Sequence, residues 1–245
     1  MAVAFDTAAA AVMGVGGGNA LTVTPINVGA ASDIAARVCA EYRDVIGTPD
    51  IPAFVDTITL TGFSGTPTFV QLVANVRTVE VYQITGGSAG AQSCTVTWNA
   101  PGGTPLVLAV VAVQVMNGVG QTTPVGNINT ASGLSNAPAV TVPGTTAGSL
   151  VCSGVIADAI VSVTATATGG ATQNWTALSG TAGTGRIRGA GSHLASPGGG
   201  VAMTWTLSGV RAWLIAGDEW LEPPVPPSTV LKDIIRSPGM VAAPI

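Results

Sequence analysis

His193 is the single histidine of the chain, and the hydroxyls beside it in sequence belong to Ser192 and Ser196. Serine hydrolysis needs a serine presented on a tight turn, an imidazole within hydrogen-bond reach and a third group that orients the imidazole. Gly189-Ala-Gly-Ser-His193 lacks the nucleophile-elbow spacing and reads instead as a loop ahead of a strand at Val201. Glycoside cleavage needs two carboxylates across one cleft. The acidic residues fall into two groups, Asp218, Glu219 and Glu222, and Glu41, Asp44, Asp50 and Asp56. Their spacing places neither group in a single cleft. The second group occupies the most polar stretch of the chain, with prolines at 49 and 52. It reads as a solvated loop, with a carboxylate calcium site as the alternative, although no EF-hand spacing supports one.

Other chemistry is equally thin. Cys39, Cys94 and Cys152 lie far apart, without C-x-x-C spacing, inside apolar strand-like segments. Such a set suits buried free thiols used as small hydrophobes, a disulfide between two of them being the alternative, and it does not suit a metal site. Gly14-Val-Gly-Gly-Gly18 and Gly118-Val-Gly120 are turns, since no Gly-Lys-Ser/Thr follows and neither opens a helix. Asn174-Trp-Thr176 is a glycosylation sequon by chance. The expectation is a chain without catalytic, cofactor-binding or metal-binding residues, and without a cofactor.

The elements that would have to position any site are β-strands. Alternating or continuous Val, Ile, Thr and Leu runs recur at 20–28, 55–60, 68–84, 94–98, 106–116, 139–142, 149–156, 160–168, 174–178, 201–207 and 211–215. Gly, Pro, Asn and Ser clusters separate them. The best amphipathic helix candidate, 31–42, is short, and its Arg-Val-Cys-Ala-Glu-Tyr end alternates like a strand. About eleven strands with no helices between them predict an all-β fold, a jelly-roll-like two-sheet β-sandwich over 1–221. The run 106–115 is apolar at nearly every position, so that strand is expected to be covered on both faces, at the centre of a sheet or against a neighbouring subunit. Of five tryptophans, Trp98, Trp205 and Trp213 fall inside strand patterns, and Trp175 and Trp220 near strand ends. Core anchors are their ordinary use, and sugar-stacking faces the alternative.

Beyond Trp220 the chain turns to Leu-Glu-Pro-Pro-Val-Pro-Pro-Ser, a stiff extended linker. Residues 222–245 are thus read as an extended C-terminal arm. Val230, Leu231, Ile234 and Ile235 would form its apolar face if 230–236 make a helical turn or two capped by Ser228 or Thr229. Seven residues are too few for a stable helix alone, so the arm is expected to dock on another subunit, a loose end being the alternative.

Charge limits the partners. The 245 residues hold 8 Lys and Arg and 12 Asp and Glu, 8% charged where roughly 25% is usual, yet 47% are hydrophobic. Between Val81 and Gly185 the one charged residue is Asp158. So much apolar sequence with so little charge describes a folded chain, not a disordered one. Its exterior must be carpeted with Thr, Ser, Asn and Gln, or covered by neighbours. A net charge of −4 with one lysine, Lys232, supplies no basic patch for nucleic acid. The longest apolar run falls short of the roughly 20 residues of a membrane-spanning helix, and the N-terminus, with Asp6 and no basic stretch, does not resemble a signal peptide.

Three stretches carry a resemblance: Val3-Ala-Phe-Asp-Thr7, Val79-Glu-Val-Tyr-Gln-Ile84 with Thr95-Val-Thr-Trp98, and Val201-Ala-Met-Thr-Trp205 leading into Trp213-Leu-Ile-Ala. Over residues 1–220 their arrangement resembles the jelly-roll sandwich domains of bacteriophage virion proteins of the decoration or cement, head-fibre and tail-fibre types, and of some bacterial surface proteins. These are strand-and-turn patterns rather than chemical signatures. The resemblance implies a non-enzymatic virion structural protein, assembled in the host cytoplasm, whose partners are other capsid or tail proteins and copies of itself. A receptor- or glycan-binding tail-fibre module is the alternative.

Overall fold

The computed structural model describes residues 2–13, 18–43, 54–74, 77–99, 108–159, 164–180 and 186–224. All regular structure among them is strand: β1 Ala4–Met13, β2 Ala20–Val28, β3 Ala35–Arg43, β4 Phe54–Leu60, β5 Thr68–Ala74, β6 Arg77–Thr85, β7 Gly90–Asn99 and β8 Leu108–Asn117. The second set is β9 Val125–Ser135, β10 Ala139–Thr145, β11 Leu150–Asp158, β12 Ala165–Thr168, β13 Thr172–Ser179, β14 Ile187–Ala195, β15 Gly199–Leu207 and β16 Arg211–Trp220. The all-β sandwich class expected from the sequence is therefore what the chain adopts. No helix among the described residues is long and apolar enough to cross a membrane. The helix candidate at 31–42 is strand β3, because a position between two neighbours rewards the alternation of its latter half over its weak helical moment.

The sandwich is built twice. Strands β1–β8 form a five-stranded sheet in the order β1-β8-β3-β6-β5 and a three-stranded sheet β2-β7-β4. Adding eight to each number reproduces the other two sheets, β9-β16-β11-β14-β13 and β10-β15-β12. The match extends to irregularities. The bulge at Val23/Ile26, opposite Cys94 and Gln92, has its counterpart at Val142/Thr145, opposite Val201 and Gly199. That at Phe69/Gln71 repeats at Gln173/Trp175, and that near the start of β1 repeats near the start of β9. A bulge re-aims a strand at one defined residue, so coincidence at three positions fixes the residue-by-residue equivalence of the halves. Each half has a jelly-roll-like order, with its fifth strand paired to the sixth.

The two five-stranded sheets lie face to face, and the three-stranded sheets cover them on the outside. Edge strand β1 packs over β13 and β5 over β9, while β8 meets β14 and β6 meets β16. Each contact maps onto its mate when the halves are exchanged, as about a twofold axis. Strand β8 shows what this does to sequence. Ala109, Val111, Val113 and Val115 enter the core against the first half's small sheet, and Leu108, Val110 and Ala112 enter the core between the halves. Both faces are covered, as the unbroken apolar run predicts, and the cover comes from the chain's own second half.

The seam between large and small sheet in each half is closed by side chains. Asp6 accepts a hydrogen bond from the Gly29 N–H at 2.8 Å. In the second half Asn129 donates to the Thr141 carbonyl at 2.8 Å and Asn127 to the Gly144 carbonyl at 3.1 Å, so β10 acceptors without a ladder partner are satisfied.

Candidate functional site

The largest concentration of polar chemistry lies inside the joint between the halves. Arg37 on β3 and Asp218 on β16 are both wholly buried. The Arg37 Nε donates to Asp218 Oδ1 at 2.8 Å and Oδ2 at 2.9 Å, with Nη2 also 2.8 Å from Oδ1. Burial alone would lower the Arg37 pKa. Burial is the largest single influence, but the charge and hydrogen bonds of Asp218, with smaller contributions around it, hold the guanidinium above its ordinary value. Asp218 also accepts from the indole N–H of Trp220 at 2.6 Å and from Gln71 Nε2 at 3.3 Å.

From Arg37 the network runs outward. Its Nη1 donates to Gln114 Oε1 at 3.0 Å, and Gln114 Nε2 donates to Asn174 Oδ1 at 2.8 Å. Asn174 Nδ2 lies 2.7 Å from His193 Nδ1, and the imidazole stacks on Phe5 at 4.6 Å. Burial lowers the His193 pKa, so the neutral ring is favoured. A second bridge between the halves joins Arg77 on β6 to Asp158 on β11, with Arg77 Nε 2.6 Å from Oδ1 and Nη2 on Oδ2. The lone charge of the 81–185 stretch is thus half of an inter-lobe ion pair.

The residues whose types suggested chemistry do not converge here, and strand alternation is the reason. Ser192 bonds Ser153 at 2.9 Å and Ser196 bonds Thr145 at 2.7 Å; neither hydroxyl is bonded to His193. The Gly189–His193 stretch is not the loop expected but part of strand β14. Its glycines are needed because the two sheets approach closely: a Cβ on Gly189 would sit 2.1 Å from Glu41 Oε2, and one on Gly191 2.0 Å from Trp175 Nε1. Asp218 and Glu219, adjacent on β16, part company. Asp218 enters the joint, while Glu219 accepts from the N–H groups of Thr146 at 2.5 Å and Asn127 at 3.1 Å and from Asn127 Nδ2 at 2.9 Å. Glu222 lies beside Gly148.

Of the other acidic group, Asp44 and Asp50 lie outside the described residues, and Asp56 is exposed. Glu41 is not a solvated loop residue. It stands on β3 with no exposure, pointing into the joint. Among the described residues no cluster of His, Cys, Asp or Glu has the shape of a metal site. Cys39, Cys94 and Cys152 are free and buried, as the reading of small hydrophobic thiols expects, and not joined as in the disulfide alternative; burial pushes the Cys94 thiol up to about 12. The sequon Asn174 is committed to Gln114 and His193. All five tryptophans are buried, none more than 8% exposed. The arm residues Val230, Leu231, Ile234 and Ile235 lie outside the described residues.

What the sequence reading missed is the joint itself. The signal was present as a weak repeat: Ala20-Leu-Thr-Val-Thr-Pro against Ala139-Val-Thr-Val-Pro, and Val96-Thr-Trp98 against Met203-Thr-Trp205. Comparison with protein-family models, with curated proteins and with solved structures finds no match to this chain.

Proposed function

We propose that the chain is a non-enzymatic structural subunit of a larger particle, a capsid decoration or cement protein or a fibre subunit of a bacteriophage virion, packing against other virion proteins. The observation that carries this reading is where the few charges go. Among the described residues six charged side chains, Arg37, Glu41, Arg77, Glu80, Asp218 and Glu219, are buried. An exterior already poor in charge loses a large share of what it had. Such a surface lacks what normally keeps monomers apart and suits one that neighbours cover.

A second observation favours contact through the first half. Phe69 and Leu72 are 53% and 49% exposed on edge strand β5, an uncharged strand. Their equivalents on β13 are Gln173 and Thr176, so the fold does not require apolar residues there. A strand with one open edge and exposed apolar side chains is a site for association.

The alternative, a receptor- or glycan-binding tail module, keeps its loops but finds no exposed tryptophan face on which a sugar could stack. Imaging of purified particles carrying a labelled copy tests the proposal. Density on the head shell or along a fibre shaft supports it; density at the tail tip alone supports the alternative, and absence from particles overturns both. A His193→Ala chain that folds and occupies particles normally is expected. Loss of a hydrolytic activity in that variant would show an enzyme.

A further inference from the structure

We propose that Glu41 makes the joint between the two halves proton-dependent: the halves close on its neutral carboxyl and separate when it gives up its proton. Glu41 lies in the middle of the face that β3 presents to the second half, with no exposure. Its Oε1 has a weak donor, the Cys39 thiol at 3.7 Å, and its Oε2 has no hydrogen-bond partner. The opposing surface at this point is bare backbone, Gly154 of β11 and Gly189 of β14, with Trp175 and Val110 around it. The carboxyl is shut off from bulk solvent, and a buried charge without a bonded partner is strongly disfavoured.

The groups that could compensate are otherwise engaged. On β3 itself Arg37 is committed to Asp218 of β16 and Gln114 of β8. Cys39 on β3 and Cys152 on β11 are neutral buried thiols whose pKa values burial raises. Asp158 of β11 is paired with Arg77 of β6. His193 of β14 is bound to Asn174 of β13. Burial is accordingly the largest influence on Glu41 and holds its carboxyl well above the ordinary range, Arg37 offsetting only part of it. The equivalent position in the second half is Ile156, buried and apolar. The fold therefore accepts a hydrocarbon here, and a glutamate adds titration rather than packing.

The sign follows from linkage. The closed joint binds one proton more than the open one between the ordinary carboxylate range, about 4.3, and the raised value in the joint. Across that window the open population rises about tenfold per pH unit. Thiol labelling of the full-length chain reads this, because Cys39 and Cys152 line the joint while Cys94 lies in the first half's own core. As the pH rises above the ordinary carboxylate range, labelling of Cys39 and Cys152 is expected to rise more steeply in the native chain than in Glu41→Gln, by up to about tenfold per pH unit. Cys94 should follow one slope in both. The native chain should also show the infrared carbonyl band of a protonated carboxyl near neutral pH, lost in Glu41→Gln. Equal slopes at Cys39 and Cys152, an added slope shared by Cys94, or absence of the band would each overturn the proposal. Should Glu41→Gln not fold, Glu41→Ile, which copies Ile156, serves as the control, and the infrared measurement needs only the native chain.

Discussion

Trp98 and Trp205 occupy the same place in the two halves, and only one of them has its indole N–H bonded. Each main-chain N–H reaches across to the residue before the neighbouring strand, Trp98 to Asn19 at 2.8 Å and Trp205 to Pro138 at 2.9 Å. Both side chains are buried. Trp205 Nε1 donates to Ser153 Oγ at 3.3 Å, whereas Trp98 Nε1 has no partner. The strand register explains the difference, since the position of Ser153 on β11 is taken by Val38 on β3.

That asymmetry yields a paired prediction. Ser153→Ala leaves the Trp205 indole unpaired as well and is expected to cost about 1–3 kcal/mol. Val38→Ser supplies the missing acceptor and loses buried methyl groups, so its cost is expected to stay below about 1.5 kcal/mol, well short of a usual polar insertion into a core. Urea unfolding of both variants checks this; a Val38→Ser cost equal to or above that of Ser153→Ala would show that the two sites are not equivalent.

The joint gives a second prediction, in the order of two losses. Removing Arg37 leaves Asp218 with donors from Trp220 and Gln71, whereas removing Asp218 strands Arg37 as an uncompensated buried cation and frees those same donors. Breaking a buried pair from one side costs about 3–5 kcal/mol. Asp218→Ala is expected at the top of that range and Arg37→Ala at the bottom, by denaturant midpoints at unchanged slope. The reverse order would mean that Trp220 and Gln71 contribute nothing.

These features were unevenly legible. Strands with β-branched periodicity, such as β2 and β15, can be read from sequence, and the run over β8 foretold cover on both faces. Four strands escaped: β1 is largely alanine, β3 looked helical, and β9 and β14 carry glycines where Trp213, Glu219, Glu41 or Trp175 leaves no room for a Cβ. A hairpin also hid inside the single run at 68–84, which is β5 and β6. Those glycines read as turns one strand at a time, because the side chain that demands each of them lies on another strand or in the other half. The same holds for the Arg37–Asp218 pair, whose partners are 181 residues apart. The internal repeat was the one signal that could have revealed the joint, and it survives in sequence only as a few residues around Pro25 and Trp98.

Glu219 sets an acid limit. Burial would raise its carboxyl, but donors from the Thr146 and Asn127 backbone and the Asn127 and Ser149 side chains prevail, leaving it below the ordinary carboxylate range. A folded-state value below the unfolded one contributes stability above the unfolded value, about 4.3, and loses it as pH falls through the folded value. Glu219→Gln is therefore expected to lower the melting temperature near pH 6 and to narrow the difference from the native chain as the pH falls below about 4. A gap that stays constant across that range would remove Glu219 from the acid response. Glu41 acts in the opposite sense, so its own contribution favours the closed chain at low pH.

The C-terminal arm bears directly on assembly. Leu221 completes the last seam of the second half: its N–H donates to the Pro124 carbonyl at 2.8 Å, and its carbonyl accepts from Gly120 at 2.8 Å. Truncation after Glu222 keeps both bonds and removes the segment with Val230, Leu231, Ile234 and Ile235. Those side chains lie outside the described residues; the sequence Pro223-Pro-Val-Pro-Pro227 is expected to favour an extended chain of about 3.1 Å per residue that would carry them away from the sandwich. Four apolar side chains at about 1.5–3 kcal/mol each are worth burying, and on the proposed role a neighbouring subunit provides the place. The truncated chain is expected to fold with a melting temperature within a few degrees of the full chain's, and to lose stable occupancy on purified particles. Full occupancy would reduce the arm to a loose end, and an unfolded product would place 223–245 in the fold itself.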